Sequence, residues 1–115
     1  MPDETLNAPT ENLTRLAGEI IAVIELLAPG EVVSYGDVAH DAGHPGAARA
    51  VGGLLASTDR DLPWWRVVRS DGRLVTASPG RQAQLLRAEG VTVVANRVKN
   101  APTGRFARKD LTTGG

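Results

Sequence analysis

The chain of 115 residues contains no cysteine. That absence excludes a disulfide framework, a thiolate metal site and a cysteine nucleophile. Aromatic residues are nearly as scarce: Tyr35, Trp64, Trp65 and Phe106 are the whole inventory. A core must therefore be assembled from Val, Leu, Ile and Ala. Lysine occurs only at positions 99 and 109, against eleven arginines. No apolar run approaches the roughly eighteen residues a membrane span requires, and the acidic, polar start of the chain does not read as a secretory signal. An intracellular protein that does not enter membranes is the expectation. The length suits one domain.

Net charge is also lacking, with 13 basic and 13 acidic side chains. On its own this argues against a nucleic-acid partner. The distribution says otherwise. Residues 1–41 hold one basic group, Arg15, and eight acidic ones, a charge of −7; residues 42–115 hold twelve basic and five acidic, a charge of +7. Such polarity points to a polyanion on one side of the molecule, or to two segregated solvated faces. The preference for Arg supplies planar forks that match phosphates and stack on bases.

What is present reads as a mixed α+β domain. Residues 1–10, with Pro2 and Pro9, read as a flexible leader. Leu13, Leu16, Ile20, Val23, Ile24 and Leu27 recur at spacings of three and four, predicting an amphipathic helix over 11–27 that ends at Pro29-Gly30. A short extended piece, 31–33, follows. Ser34 offers an N-cap with Asp37 in capping-box position, so a helix is expected from Tyr35 to about Ala42, stopped by Gly43, a residue free to take positive φ. Pro45 suits the first turn of a further helix running to about Ser57. Two short helices joined by a tight glycine turn form a helix-turn-helix. Next come candidate strands at 65–68 and 74–76 around Ser70-Asp71-Gly72-Arg73, a hairpin turn. The pair of strands would be a small β-hairpin wing, giving a winged helix-turn-helix, mostly helical. A helix over 82–89, a strand over 91–94 and an irregular tail over 100–115 complete the chain, with the domain itself spanning 11–99. If 64 and 65 lie on a strand, the two indoles point to opposite faces, and one Trp must meet a cleft or solvent.

Two stretches carry a resemblance. Pro29-Gly30-Glu31-Val32-Val33-Ser34-Tyr35-Gly36-Asp37-Val38-Ala39 and Gly43-His44-Pro45-Gly46-Ala47-Ala48-Arg49-Ala50-Val51-Gly52 resemble the DNA-binding domain of O6-alkylguanine-DNA alkyltransferases. Pro63-Trp64-Trp65-Arg66-Val67-Val68 stands where those enzymes carry Pro-Cys-His-Arg-Val. Trp64 thus replaces the reactive Cys and Trp65 the His that activates it. The chain is similar to the alkyltransferase-like branch of the family, small proteins without the enzymatic activity.

The resemblance implies binding of double-stranded DNA containing O6-alkylguanine, with the helix-turn-helix in the minor groove and the damaged nucleotide rotated into a pocket. It also implies transfer of the unrepaired lesion to nucleotide excision repair proteins. Arg49 matches the arginine finger that fills the vacated stack. Tyr35 matches the tyrosine that presses on the phosphate of the flipped nucleotide. Ala47, Ala48, Gly52 and Gly53 would let the helix backbone approach DNA closely, or serve helix–helix packing, the preferred role for Gly53. Arg66 and Arg69 would contact phosphates or brace the site loop. Glu89 matches an acidic residue that orders the site in the enzymes. Trp64, Trp65, Val67, Arg73 and Thr76 are the expected lesion-pocket residues. The enzymes' Tyr-Ser pair after the wing is replaced by Val75-Thr76-Ala77-Ser78, so an arginine over the lesion base would have to be Arg73 or Arg81.

Alkyl transfer needs a thiolate, and none exists here. His40 and His44 read as surface or turn residues, and Ser34, Ser57 and Ser70 lack an evident His partner. No catalytic residue, metal or cofactor is expected. The protein is expected to be a cytoplasmic monomer, associated with the nucleoid when on DNA. A winged-helix transcriptional regulator reading sequence in the major groove is the alternative.

Overall fold

Ser34 organises the centre of the molecule. Its backbone is extended, its hydroxyl accepts from the Asp37 N–H at 3.0 Å, and its own N–H donates to the Asp37 carboxylate at 3.0 Å. This capping box converts the strand β1 (Glu31–Ser34) directly into the helix α2 (Tyr35–Asp41). The computed structural model describes residues 2–75 and 78–107.

Ahead of β1 lies α1 (Pro2–Glu25). It begins well before the expected start at residue 11, so the segment read as a flexible leader is helical from Pro2. Proline at the first helical position loses no hydrogen bond, because that N–H has no partner within the helix. After α2 comes α3 (Ala48–Ser57), with Ala47 at its N-cap position and no side-chain capping bond. Pro45 is not in the first turn of α3 as expected. It sits in the connecting turn, where Gly43 and Gly46 take φ of +87° and +95°, a left-handed conformation that ends one helix and delays the next.

The expected hairpin at 65–68 and 74–76 does not form. Trp64–Arg66 is a single 3-10 turn, and β2 (Val67–Val68) pairs in parallel with β1, Val33 opposite Val67. Val67 and Val68 are both fully buried, so this edge strand of the sheet is covered on two faces and is not a solvent-facing wing. A tight turn follows, closed by Arg69 N–H to Arg73 O at 3.0 Å. The helix α4 (Pro79–Ala88) then starts three residues earlier than expected, with Pro79 in its first turn. The antiparallel hairpin lies further on, between β3 (Thr92–Val94) and β4 (Arg97–Asn100), with Ala95 and Asn96 at positive φ in its turn.

The tail is also more ordered than its composition suggests. β5 (Thr103–Gly104) pairs in parallel with the other edge of β1, and Ala101 is buried. The expected irregular tail is thus corrected over 101–107, because β1 has a second edge to fill; residues 108–115 lie outside the described residues.

The sheet order β2-β1-β5 makes β1 a septum. Successive side chains on a strand point to opposite faces. Val33 joins a core with α1, α2 and α3, while Val32 joins a second core with α4, β3 and β4. Two side-chain contacts tie α1 to the side of the molecule that carries α2 and α3: His44 Nε2 lies 2.6 Å from Glu19 Oε1, and Arg60 forms an ion pair with Glu25 at 3.1 Å.

Candidate nucleic-acid interface

Helical spacing places Gly52, Leu55 and Ala56 on one face of α3. That face, with Tyr35 at the start of α2, forms one wall of a cavity of about 400 Å³. Trp64, Val75 and Ser78 line the rest. Tyr35 is half-buried, and burial raises its phenol pKa, with Arg69's charge only partly opposing it. Its hydroxyl is therefore a neutral donor at physiological pH. A wider groove opens beside the cavity, bordered by Tyr35, Ala48, Arg49, Gly53, Arg69 and Asp71. Arg49 is exposed there, in the first turn of α3. Among the described residues, none of α1 lines either space.

Trp64 and Trp65 part company through the 3-10 turn and not through strand alternation. Their rings meet edge to face, centroids 6.1 Å apart at 87°. Trp64 faces the cavity. Trp65 packs on the second core, and its indole N–H donates to Glu89 Oε2 at 2.9 Å.

Glu89 is the hub behind the cavity wall. It accepts from Arg66 Nε at 3.0 Å, from Arg66 NH2 at 2.6 Å, from the Gly30 N–H at 2.8 Å and from the Trp65 indole. Burial acts to raise its pKa. The donated hydrogen bonds from Arg66, Gly30 and Trp65, with the Arg66 charge, outweigh burial and hold the carboxyl below its ordinary range. Arg66 also donates to Leu27 O at 2.8 Å, and its guanidinium lies 5.2 Å from the Trp65 ring centroid. Its side chain is only 12% exposed. Of the two roles expected for Arg66, the bracing one is visible in its contacts with Glu89 and the Leu27 carbonyl.

Gln82 is a second brace, for which the sequence offers no more than a polar residue at a helical core position. Fully buried, it accepts from Val75 N–H at 2.8 Å and donates to the carbonyls of Trp65 and Val67, both at 3.1 Å. It thereby joins the two backbone segments that carry Trp64 and Val75.

The expected pocket set is thus divided. Tyr35, Gly52 and Trp64 meet at the cavity, and Ala48 and Arg49 border the adjoining groove. Three expectations are corrected. Trp65 belongs to the scaffold, Val67 is sealed in the first core, and Arg73 lines a different groove beside Asp71 and Arg97. Thr76 lies outside the described residues. Ala47 is half-buried against the first core. Gly53 is exposed, with open space at its Cβ position, so helix packing does not explain it. Arg81 is exposed on α4, and among the described residues no arginine lines the cavity. Leu55, Ala56, Val75 and Ser78 were not expected; the i, i+3, i+4 relation of 52, 55 and 56 was the available signal. Among the described residues no group of three or more His, Asp or Glu side chains is placed to hold a metal ion, and none of the described helices is long and apolar enough to cross a membrane.

The sequence profile of the 6-O-methylguanine DNA methyltransferase DNA binding domain matches residues 16–91. The chain is 40% identical over 97 residues to the DNA base-flipping protein of Escherichia coli (strain K12), covering 81% of this chain and 73% of that one. It is 34% identical over 70 residues to alkyltransferase-like protein 1 of Schizosaccharomyces pombe, covering 56% and 65%. The fold matches the crystal structure of an S. pombe alkyltransferase-like protein in complex with DNA, with a TM-score of 0.65 at 26% identity over 81% of this chain and 94% of that one. The chain belongs to the 6-O-methylguanine DNA methyltransferase DNA-binding-domain family, as one of its alkyltransferase-like members.

Proposed function

We propose that this protein recognises O6-alkylguanine in duplex DNA by rotating the lesion nucleotide into the Tyr35–Trp64 cavity, and leaves the alkyl group in place. The observation that carries the reading is the Trp64 indole on the cavity wall, in a chain without a single thiol. A flipped base needs a flat apolar surface, and base–aromatic contact is worth about 1–3 kcal/mol. Extrusion costs a few kcal/mol, least at a damaged pair. Arg49, exposed beside the cavity, supplies a planar cation to fill the gap in the stack. The neutral Tyr35 hydroxyl donates to the phosphate of the flipped nucleotide. α2 and α3 enter the minor groove as a helix-turn-helix, and the Arg69–Arg73 turn beside α3 takes the place of a wing.

The likeness to a DNA base-flipping protein and to an alkyltransferase-like protein supports this reading. Without a nucleophile the protein is not an enzyme, and the marked lesion passes to nucleotide excision repair proteins. It acts as a monomer, in the cytoplasm and at the nucleoid when bound.

Binding to matched duplexes with and without one O6-methylguanine tests the proposal, with mass spectrometry of the protein afterwards. Tighter binding to the damaged duplex and an unchanged protein mass are expected. Equal affinity, tight binding governed by an undamaged operator sequence, or a methyl group on the protein would each overturn it.

A further inference from the structure

The β3–β4 hairpin carries cations that lesion recognition leaves unused. The Arg69–Arg73 turn and the residue after it are pinned to the β3–β4 hairpin: Val98 N–H donates to Gly72 O at 2.8 Å, and Leu74 N–H to Asn96 O at 3.0 Å. Gly72 is buried at φ +91°, and a Cβ there would lie 2.9 Å from the Val98 carbonyl oxygen, so only glycine permits this contact. Arg73 and Arg97 oppose one another in an antiparallel bridge and so share a face. Lys99 follows two residues later, where an irregularity shifts the β3–β4 register and leaves it without an opposite residue on β3. All three border one groove.

The groove is electropositive. Asp71 meets Arg73 at 3.4 Å and Arg97 at 3.7 Å, leaving three cations to one carboxylate. These pairs are long and partly exposed, so they orient the guanidinium groups without consuming them. The same turn is the shared wall of two surfaces. Arg69 and Asp71 border the groove over α3 that holds Arg49, Arg73 borders the hairpin groove, and Val75 borders both. Cations therefore border both surfaces, Arg49 and Arg69 on one and Arg73, Arg97 and Lys99 on the other, with the turn between them in contact with β4 at Gly72.

We infer that Arg73, Arg97 and Lys99 hold phosphate groups of the duplex flanking the flipped nucleotide, so that bound DNA extends past α3 onto the β3–β4 hairpin. This rests on the DNA-binding reading above. The contact is to backbone and not to bases, so it serves damaged and undamaged DNA alike and strengthens with falling salt.

The test uses the full chain and the double variant Arg97→Gln, Lys99→Gln. Binding to undamaged and O6-methylguanine duplexes is followed by fluorescence anisotropy across a salt series. Each lost phosphate contact lowers the slope of log K against log salt by about 0.9, so a drop of about 1.8 is expected on both duplexes, with their affinity ratio retained. Lys99→Gln alone, at an exposed position, is expected to give about half of that drop, and the charge-preserving Arg97→Lys, Lys99→Arg to keep the parent slope. If the parent protein binds DNA and the Gln variants keep its slope, the inference falls while the DNA-binding reading stands. An altered affinity ratio at constant slope would assign the groove to lesion reading and also overturn it. If the parent protein binds no DNA, both fall.

Discussion

Arg66 and Glu89 form a two-point ion pair, Nε to Oε1 at 3.0 Å and NH2 to Oε2 at 2.6 Å, with side chains only 12% and 14% exposed. The pair joins the Trp64–Arg66 turn to the end of α4, and through Gly30 to the start of β1. Removing one partner of such a pair strands a buried charge, which costs about 3–5 kcal/mol. Glu89→Ala is therefore expected to lower unfolding free energy by that order in urea titration. Replacing both partners with apolar residues, as in Arg66→Met with Glu89→Leu, should recover much of the loss. Equal destabilisation by the single and double variants would contradict the account.

The same carboxyl sets a pH dependence. Its folded pKa lies below the ordinary value of 4.5, so the stability it contributes is present above that value. It is lost as pH falls below 4.5 through the lower folded pKa. Glu89→Gln should be less stable at neutral pH and lose less on acidification than the parent. Urea midpoints at several pH values between neutrality and pH 3 measure this; parallel curves for the two proteins would rule it out.

Gln82→Leu keeps the volume and discards the polar contacts. It leaves the Val75 N–H and the carbonyls of Trp65 and Val67 without this partner. Unsatisfied buried groups cost about 1–3 kcal/mol each, so a destabilisation of about 3 kcal/mol is expected. Lesion binding should weaken as well, because Trp64 and Val75 lose their common support. A variant as stable as the parent would show that water or relaxation replaces the brace.

Trp64→Cys supplies a thiol at the cavity but should not restore methyl transfer. Nucleophilic attack requires the thiolate. The neighbouring position holds Trp65, whose indole can only donate, and Glu89 is already occupied by Arg66, Gly30 and that indole. Mass spectrometry after incubation with O6-methylguanine duplex is the check. One added methyl group on the variant would refute the argument.

Arg49→Ala should separate binding from folding. The residue is exposed on α3, and surface substitutions of this kind change stability by about 0.5 kcal/mol or less. Affinity for the damaged duplex is expected to drop tenfold or more, about 1.4 kcal/mol. Arg49→Lys should restore little of it, since an ammonium group cannot stack as a guanidinium does. Full recovery by Lys would instead identify an ordinary phosphate contact.

Local signals were legible at the level of single residues. The Ser34–Asp37 capping box, the break at Gly43 and the apolar stripe from Leu16 to Leu27 all act within four residues, and each appears where the spacing put it. Misreadings occurred wherever the partner was distant. Val67-Val68 looks like one arm of a hairpin, yet pairs with Val33-Ser34, more than thirty residues upstream. Thr103-Gly104 has the composition of a loop, and becomes a strand only because β1 offers a free edge. Arg66 reads as a surface cation until Glu89, 23 residues away, turns it inward.

By itself the sequence determined that these 115 residues carry no thiol, that two short helices joined by a glycine turn lie between residues 35 and 57, and that positive charge gathers after residue 41. These follow from residue identity and from contacts a few positions apart. Tertiary structure alone decided which indole faces the cavity, which arginines point outward, and what supports the walls. Those outcomes depend on burial and on carboxylates and carbonyls that meet only after β1 is sandwiched between two cores, as when the Gly30 N–H reaches Glu89 across 59 residues of chain.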